Sequence, residues 1–222
     1  MGEDGPRGKV IKGEPIVGMS GCWAVGALAA EDIAELARRA GPAIAAAAAR
    51  PSAIAAWGRW ERDAARGGGA VPVWRPDGYN TEEALRLYDM VDDSAFDAMD
   101  ANHELHVMEW WDRFDPGIEP YIGAVRKDNP VAALFHGLGP ARAAALPGWA
   151  GDVVLTSDEV RRLLPAVEGA LAVTGAERAR VLARIDDWPG DKEPEDILDG
   201  PLRAWRNAAG AGAGLLAARI WF

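Results

Sequence analysis

The two ends of the chain carry apolar runs typical of buried strands. Residues 16–28 contain no charged side chain, and residues 215–222 are mostly apolar at both odd and even positions. A strand that is apolar on both faces is covered on both faces. We therefore predict that the first and last strands lie inside a sheet, with a further short strand at 153–155.

Between these strands, apolar residues recur at spacings of three and four, which predicts helices. In residues 156–171 they form one stripe of Val160, Leu163, Leu164, Val167 and Leu171. The predicted helices cover 30–40, 43–49, 52–66, 81–91, 94–99, 156–171, 174–185 and 199–210. A small central sheet surrounded mostly by helices is an α+β fold. Residues 102–114 have no clear period.

Local motifs predict where several helices begin and end. Thr156 with Glu159, and Thr174 with Glu177, have the spacing of capping boxes. Pro42, after a glycine, predicts a helix end, and Pro165 predicts a bend. Asp199 followed by Pro201 predicts a helix start.

The chain is predicted to be one domain with a loose N-terminal arm. Residues 1–14 are polar and aperiodic, and residues 15–222 form the single α+β domain. Residues 67–69 are three glycines, which predict a flexible hinge. Residues 71–80 contain two prolines and predict an extended loop or an edge strand.

A secretory signal is the alternative interpretation of the apolar run near the N-terminus, because the run follows Lys9 and Lys12. Its glycines and the preceding Glu14 favour a buried strand. The alanine-rich residues 43–57 are interrupted by Arg50 and Pro51 and are shorter than the ~20 residues that span a bilayer. With one cysteine, Cys22, the chain has no internal disulfide, so we expect a cytoplasmic protein that does not act at a membrane.

The negative charge is concentrated in one segment. The formal charge is −10 over 222 residues, yet residues 77–119 contain thirteen carboxylates against Arg86 and Arg113, a net of −11. Such a field repels phosphate backbones and attracts cations. We expect a basic protein or a small cationic ligand as partner, and no nucleic acid.

Aromatic residues lie within this acidic segment. Trp110 and Trp111 are preceded by Glu109 and followed by Asp112 and Asp115. Indole faces beside carboxylates can hold a cation by stacking and charge. These five residues are the predicted ligand-binding site, although tryptophans at helical spacing are usually core residues.

The three histidines form the second candidate site. His103, His106 and Glu109 are three residues apart and would share one face if they were helical, with His136 completing a metal site. The cofactor is unknown, and a divalent metal is possible. The alternative is an exposed acidic helix with ordinary histidines.

Other motifs indicate structure. Cys22 lies in an apolar run, where a buried and inert thiol is expected. The glycines of residues 210–214 follow a helix and precede a strand, which is the wrong order for a phosphate-binding loop, so we expect a helix end and a turn.

Several motifs in order resemble the YfbM-like family of bacterial domains of unknown function. They are GMSG at 18–21, NPVAAL at 129–134, GPAR at 139–142, LTSDEV at 155–160 and the terminal strand from Gly214. The resemblance implies a small cytoplasmic α+β domain without an established activity. Residues 103–114 depart from the family's central helix with Trp and Leu-His, and residues 41–80 look like an insertion.

The leading hypothesis is a non-catalytic binding or interaction protein whose acidic segment, 77–119, receives the basic partner. The alternative is a metal-dependent enzyme that uses the histidines and a carboxylate such as Asp112 as base. A third possibility is a metal-free enzyme with an aromatic pocket and a histidine acid or base.

Overall fold

In the part of the chain that the structure describes, a four-stranded antiparallel sheet lies within a mostly helical domain. A computed structural model describes residues 20–92, 94–126 and 128–221, so the N-terminal arm predicted at 1–14 lies outside the described residues. The strands are β1 (Ser20–Leu28), β2 (Tyr121–Arg126), β3 (Val153–Leu155) and β4 (Gly214–Trp221). Their order in the sheet is β2-β1-β4-β3. The α+β prediction is confirmed.

The first and last described strands are the two central ones, as predicted. β1 and β4 pair along eight residues, from Gly21 opposite Trp221 to Leu28 opposite Gly214. β2 flanks β1 and β3 flanks β4. The apolar character of both faces of β1 and β4 is explained, because helices cover the sheet on both sides.

The described residues contain ten helices, numbered in chain order. They are α1 (Ala30–Ala49), α2 (Pro51–Arg66), α3 (Glu82–Asp92), α4 (Ala95–Ala101), α5 (Met108–Trp111), α6 (Pro130–Leu138), α7 (Pro140–Ala143), α8 (Ser157–Leu171), α9 (Gly175–Asp187) and α10 (Pro194–Ala211). None of the helices among the described residues is long and apolar enough to cross a lipid bilayer.

Strand glycines show which elements cover each face. A Cβ at Gly26 would meet the Phe114 ring, and one at Gly214 would meet Ile33 of α1. The side chain of Tyr121 points to the opposite face, because its partner Val25 adjoins Gly26. There its ring packs against Gly200 of α10. The sheet therefore lies between α1 with the segment after α5 on one side and α10 on the other.

Two of the predicted helix boundaries are wrong because tertiary contacts outweigh proline. α1 continues through Pro42, since Leu36, Ala40 and Ile44 bury one continuous face. It ends at Ala49, and Arg50 is extended because the next residue, Pro51, is also a proline. α10 begins at Pro194 and contains Pro201 in its interior. Pro165 likewise lies within α8.

One of the two predicted capping boxes forms. At the start of α8, Thr156 accepts from the Glu159 amide while Glu159 accepts from the Thr156 amide. At the start of α9, Thr174 makes no side-chain cap. Its expected partner Glu177 instead binds the Arg142 guanidinium at 2.6 and 2.9 Å. The second box is therefore wrong because a distant arginine competes for the carboxylate.

The segment 41–80, predicted as an insertion, shares the core of the domain. It includes the end of α1, all of α2 and a short hairpin. Its side chains Trp60, Val71 and Val73 are buried in the same apolar cluster as the central strands. Trp60 stacks on Phe135 of α6 with ring centroids 5.8 Å apart.

Candidate functional site

The acidic segment folds into α3, α4, α5 and their connections. The helix predicted at 94–99 forms as α4, and Ser94 caps it, since its hydroxyl accepts from the amides of Phe96 and Asp97. The same hydroxyl donates to Asp152 Oδ2 at 2.9 Å, and the Ala95 amide donates to that oxygen at 2.9 Å. The start of α4 is therefore held by a carboxylate from just before β3.

Asp152 also forms a buried ion pair with Arg219 of β4. Its exposed fraction is 0%, and that of Arg219 is 2%. Arg219 Nε donates to Oδ1 at 3.2 Å and Nη2 donates to Oδ2 at 3.0 Å. The Arg219 amide adds a bond to Oδ1. A bidentate pair with this many donors fixes α4 on the sheet.

Asp97, in the first turn of α4, is half-buried beside this pair. Burial raises the pKa of Asp97 to about 6, and the Asp152 carboxylate adds to that rise while Arg219 opposes it. Asp92 and Asp100 raise this pKa further. Asp97 can therefore gain or lose a proton near neutral pH, which is unusual for an aspartate.

The end of α4 explains the position of His103. The His103 amide donates to the Asp100 carbonyl and the Glu104 amide donates to the Met99 carbonyl. These two bonds form a Schellman motif with His103 in the left-handed position, at φ 58°. This position usually holds glycine. His103 occupies it here just after the helix end, and its side chain is exposed.

The structure does not bring the four predicted metal ligands together. The rings of His103 and His106 are 6.2 Å apart, and His106 Nδ1 lies 2.5 Å from Asp100 Oδ1. Glu109 is exposed on α5. His136 lies in α6, whose residues are all buried. Within the ranges that the structure describes, no three His, Cys, Asp or Glu side chains are placed to hold a metal ion.

His136 has a different environment from the other two histidines. It is 2% exposed, and its ring centroid is 5.1 Å from that of Trp188. Burial lowers the pKa of His136 to about 4, with the Arg184 guanidinium adding to that effect. Its Nδ1 has no hydrogen-bond partner among the described residues. The ring is therefore neutral at physiological pH.

The predicted tryptophan pair is not a shared exposed surface. Trp110 is 3% exposed, and the guanidinium of Arg113 lies over its ring at 4.6 Å. Arg113 also donates to Asp32 of α1 at 2.9 Å. Trp111 is half-buried, and its indole nitrogen is buried without a partner among the described residues. The cation position expected on Trp110 is filled by the protein's own arginine.

The carboxylates around these tryptophans are exposed. Glu104, Glu109, Asp112 and Asp115 make no ion pair with a described residue. Asp115 instead accepts from the Gly117 amide at 2.8 Å. Elsewhere in the acidic segment some carboxylates are paired, as are Glu82 and Glu83, which share Arg86. We call the six residues Asp97, Asp100, Glu104, Glu109, Asp112 and Asp115 the α4–α5 surface.

The ion pair that positions α4 was missed by the sequence analysis. The signal available was the charged Arg219 inside an otherwise apolar strand, since a buried charge requires a partner. The sequence did not identify the partner of Arg219, because Asp152 is one of many aspartates and lies 67 residues before Arg219 in the chain.

Comparison of the chain with protein-family models, curated proteins and solved structures finds no match in any of the three. The resemblance to the YfbM-like family stays a prediction from the order of its motifs.

Proposed function

We propose that this protein is a non-catalytic binding domain whose α4–α5 surface receives a basic protein. The observation that carries the proposal is the run of four exposed carboxylates between Glu104 and Asp115 that have no ion-pair partner among the described residues. Uncompensated charge on a rigid element attracts and orients a partner of the opposite sign.

The surface is held in place by contacts with the sheet and with α1. α4 is tied to the sheet through the Ser94, Asp152 and Arg219 bonds. The segment after α5 is tied by the Asp115 amide, which donates to the Ala27 carbonyl of β1, and by the Arg113 to Asp32 pair. A surface that is ordered before binding loses less conformational entropy on association.

A basic protein suits this surface better than a small cationic ligand. A cation held by stacking on Trp110 would have to displace Arg113 from that ring. A protein partner needs only the exposed carboxylates, which recur every three to five residues from Glu104 to Asp115. Its lysines or arginines would bind without any rearrangement of the tryptophans.

We infer the remaining partner classes from charge and cysteine content. The negative field of residues 77–119 disfavours nucleic acid. The single cysteine is buried, and burial raises the pKa of the Cys22 thiol to about 11, so the thiol stays protonated and unreactive. These features support a role in the cytoplasm.

The test uses a short poly-arginine peptide as the probe, with binding followed by backbone amide shifts in NMR. We expect the shifts to concentrate in α4, α5 and the loop between them, and the affinity to fall steeply with added salt. The double charge reversal Glu109→Lys with Asp112→Lys should weaken binding by about tenfold or more.

Asp158→Lys is the matched control, because Asp158 is an exposed carboxylate on α8, away from the acidic segment. It should leave the affinity within about twofold of wild type. Equal losses in the reversal and the control, or shifts spread over the whole surface, would contradict the proposal.

A further inference from the structure

A separate pocket lies beside a hairpin that precedes α3. In residues 72–81, Trp74 pairs with Asn80 in an antiparallel bridge, and the Thr81 amide donates to the Val73 carbonyl. The turn between them is closed by the Arg75 amide, which donates to the Tyr79 carbonyl at 2.7 Å. Its Gly78 adopts φ 83°, a conformation that glycine permits without strain.

The hairpin is anchored to the body of the protein. The Trp74 indole donates to the Asp187 carbonyl at the end of α9 at 2.8 Å. The Thr81 hydroxyl also bonds to the Pro72 carbonyl and caps α3 through the Ala84 amide. The pocket wall is therefore an ordered turn whose position is set by two helices.

The pocket has a cavity volume of about 280 Å³ and is lined by Arg75, Asp77, Tyr79, Asn80 and Leu85. Small-molecule sites begin at roughly 300 Å³, so the space suits a ligand with few heavy atoms. Leu85 is 40% exposed, although it is a large apolar side chain on a helix. Leu85 and the Tyr79 ring supply an apolar wall.

The polar groups of the pocket have a specific pattern. Arg75 Nη2 and Asp77 Oδ2 form a half-exposed ion pair at 2.6 Å. Asn80 Oδ1 is buried and accepts no hydrogen bond from any described residue. A buried acceptor without a donor is destabilising, and a ligand that brings an N–H or O–H donor removes that cost.

We propose that this pocket binds a small zwitterion, of the class of free α-amino acids with an apolar side chain. The ligand's carboxylate pairs with Arg75, and its ammonium group donates to Asp77 and Asn80. Its side chain packs on Leu85 and Tyr79. A ligand with only one charge suits the site less well, because Arg75 and Asp77 together are neutral and one of them would lose its partner.

The test compares L-leucine with two analogues, leucinamide, which lacks the carboxylate, and 4-methylpentanoate, which lacks the ammonium group. Binding is followed by NMR through the Asn80 side-chain amide and the Trp74 indole. We expect saturable shifts with leucine and at least about tenfold weaker binding of both analogues.

Two variants test the assigned roles. Arg75→Gln and Asp77→Asn should each weaken leucine binding by about tenfold, and Asp77→Asn keeps the oxygen that accepts from the Tyr79 amide. Arg161→Gln is the matched control, because Arg161 forms a similar exposed pair with Asp158 on α8, and it should have no effect.

The proposal is overturned if leucine causes no saturable shift up to its solubility limit. It is also overturned if either analogue binds as tightly as leucine, or if the control variant weakens binding as much as Arg75→Gln. The α4–α5 surface plays no part in this assay. A negative result for leucine would therefore leave the proposal of a basic protein partner unaffected.

Discussion

Replacement of His136 by leucine should make the protein more resistant to acid. The imidazole is buried in α6 against Trp188, and its pKa falls from the ordinary 6.5 to about 4. The folded protein therefore resists protonation of His136 at a pH where the unfolded chain accepts the proton. His136→Leu removes this difference and leaves an apolar side chain of similar volume in an apolar helix.

The size of the effect follows from the two pKa values of His136. Each pH unit of separation between folded and unfolded states corresponds to about 1.4 kcal/mol, so the full contribution is about 3 kcal/mol. Because the folded pKa is lowered, stability is fully present above the unfolded value of 6.5. It is lost progressively as the pH falls from 6.5 to about 4.

The assay is urea unfolding of wild type and His136→Leu, followed by tryptophan fluorescence at several pH values between about 7 and about 4. All other titrating groups are common to both proteins and largely cancel in the difference. At neutral pH the variant should already be more stable by about 1–3 kcal/mol, because it removes a buried Nδ1 that has no hydrogen-bond partner among the described residues. Near pH 4.5 this advantage should grow further, by about 2 kcal/mol or more, because only the wild type carries the titrating imidazole. Parallel stability curves at all pH values would refute the reasoning.

Three further substitutions test the region around α4. Asp97→Asn should stabilise the fold above about pH 6, because wild-type Asp97 is ionised there although it is half-buried. Below about pH 4 the substitution should have little effect, and urea unfolding at both pH values measures the difference. His103→Gly should stabilise the protein by about 0.5–1 kcal/mol, as measured by thermal unfolding, because glycine adopts the left-handed conformation at the helix end without the steric cost that His103 bears. A loss of stability would contradict the assignment of His103 to a strained left-handed position. Asp152→Asn should cost about 3–5 kcal/mol, since it leaves Arg219 charged and buried, and adding Arg219→Met should recover most of that loss. If the double variant is no more stable than Asp152→Asn alone, the ion-pair explanation fails.

The α4 region combines strong anchoring with unfavourable charge. The Asp152 to Arg219 pair holds the helix on the sheet, but its carboxylate also raises the pKa of the nearby Asp97. The four exposed carboxylates from Glu104 to Asp115 have no ion-pair partner among the described residues. Such an arrangement lowers the stability of the free protein, and a basic partner would reverse that effect on binding.

Short-range patterns predicted much of the fold. The burial of β1 and β4 at the centre of the sheet follows from their apolar side chains on both faces. The Thr156 box was correct because its two hydrogen bonds join residues three apart. Contacts of this length depend on local backbone geometry, which the neighbouring residues themselves decide.

Long-range contacts decided the candidate sites. Trp110 and Trp111 are adjacent in sequence, yet Trp110 is buried in the apolar core with Arg113 over its ring, which no spacing along the chain could show. The three histidines were predicted to share one site, but His136 is buried in α6 while His103 and His106 are exposed in the segment after α4. Burial and charge pairing depend on which distant elements meet. The sequence by itself therefore determined the central strands and most helices, and only tertiary packing decided which charged and aromatic groups remain available to a partner.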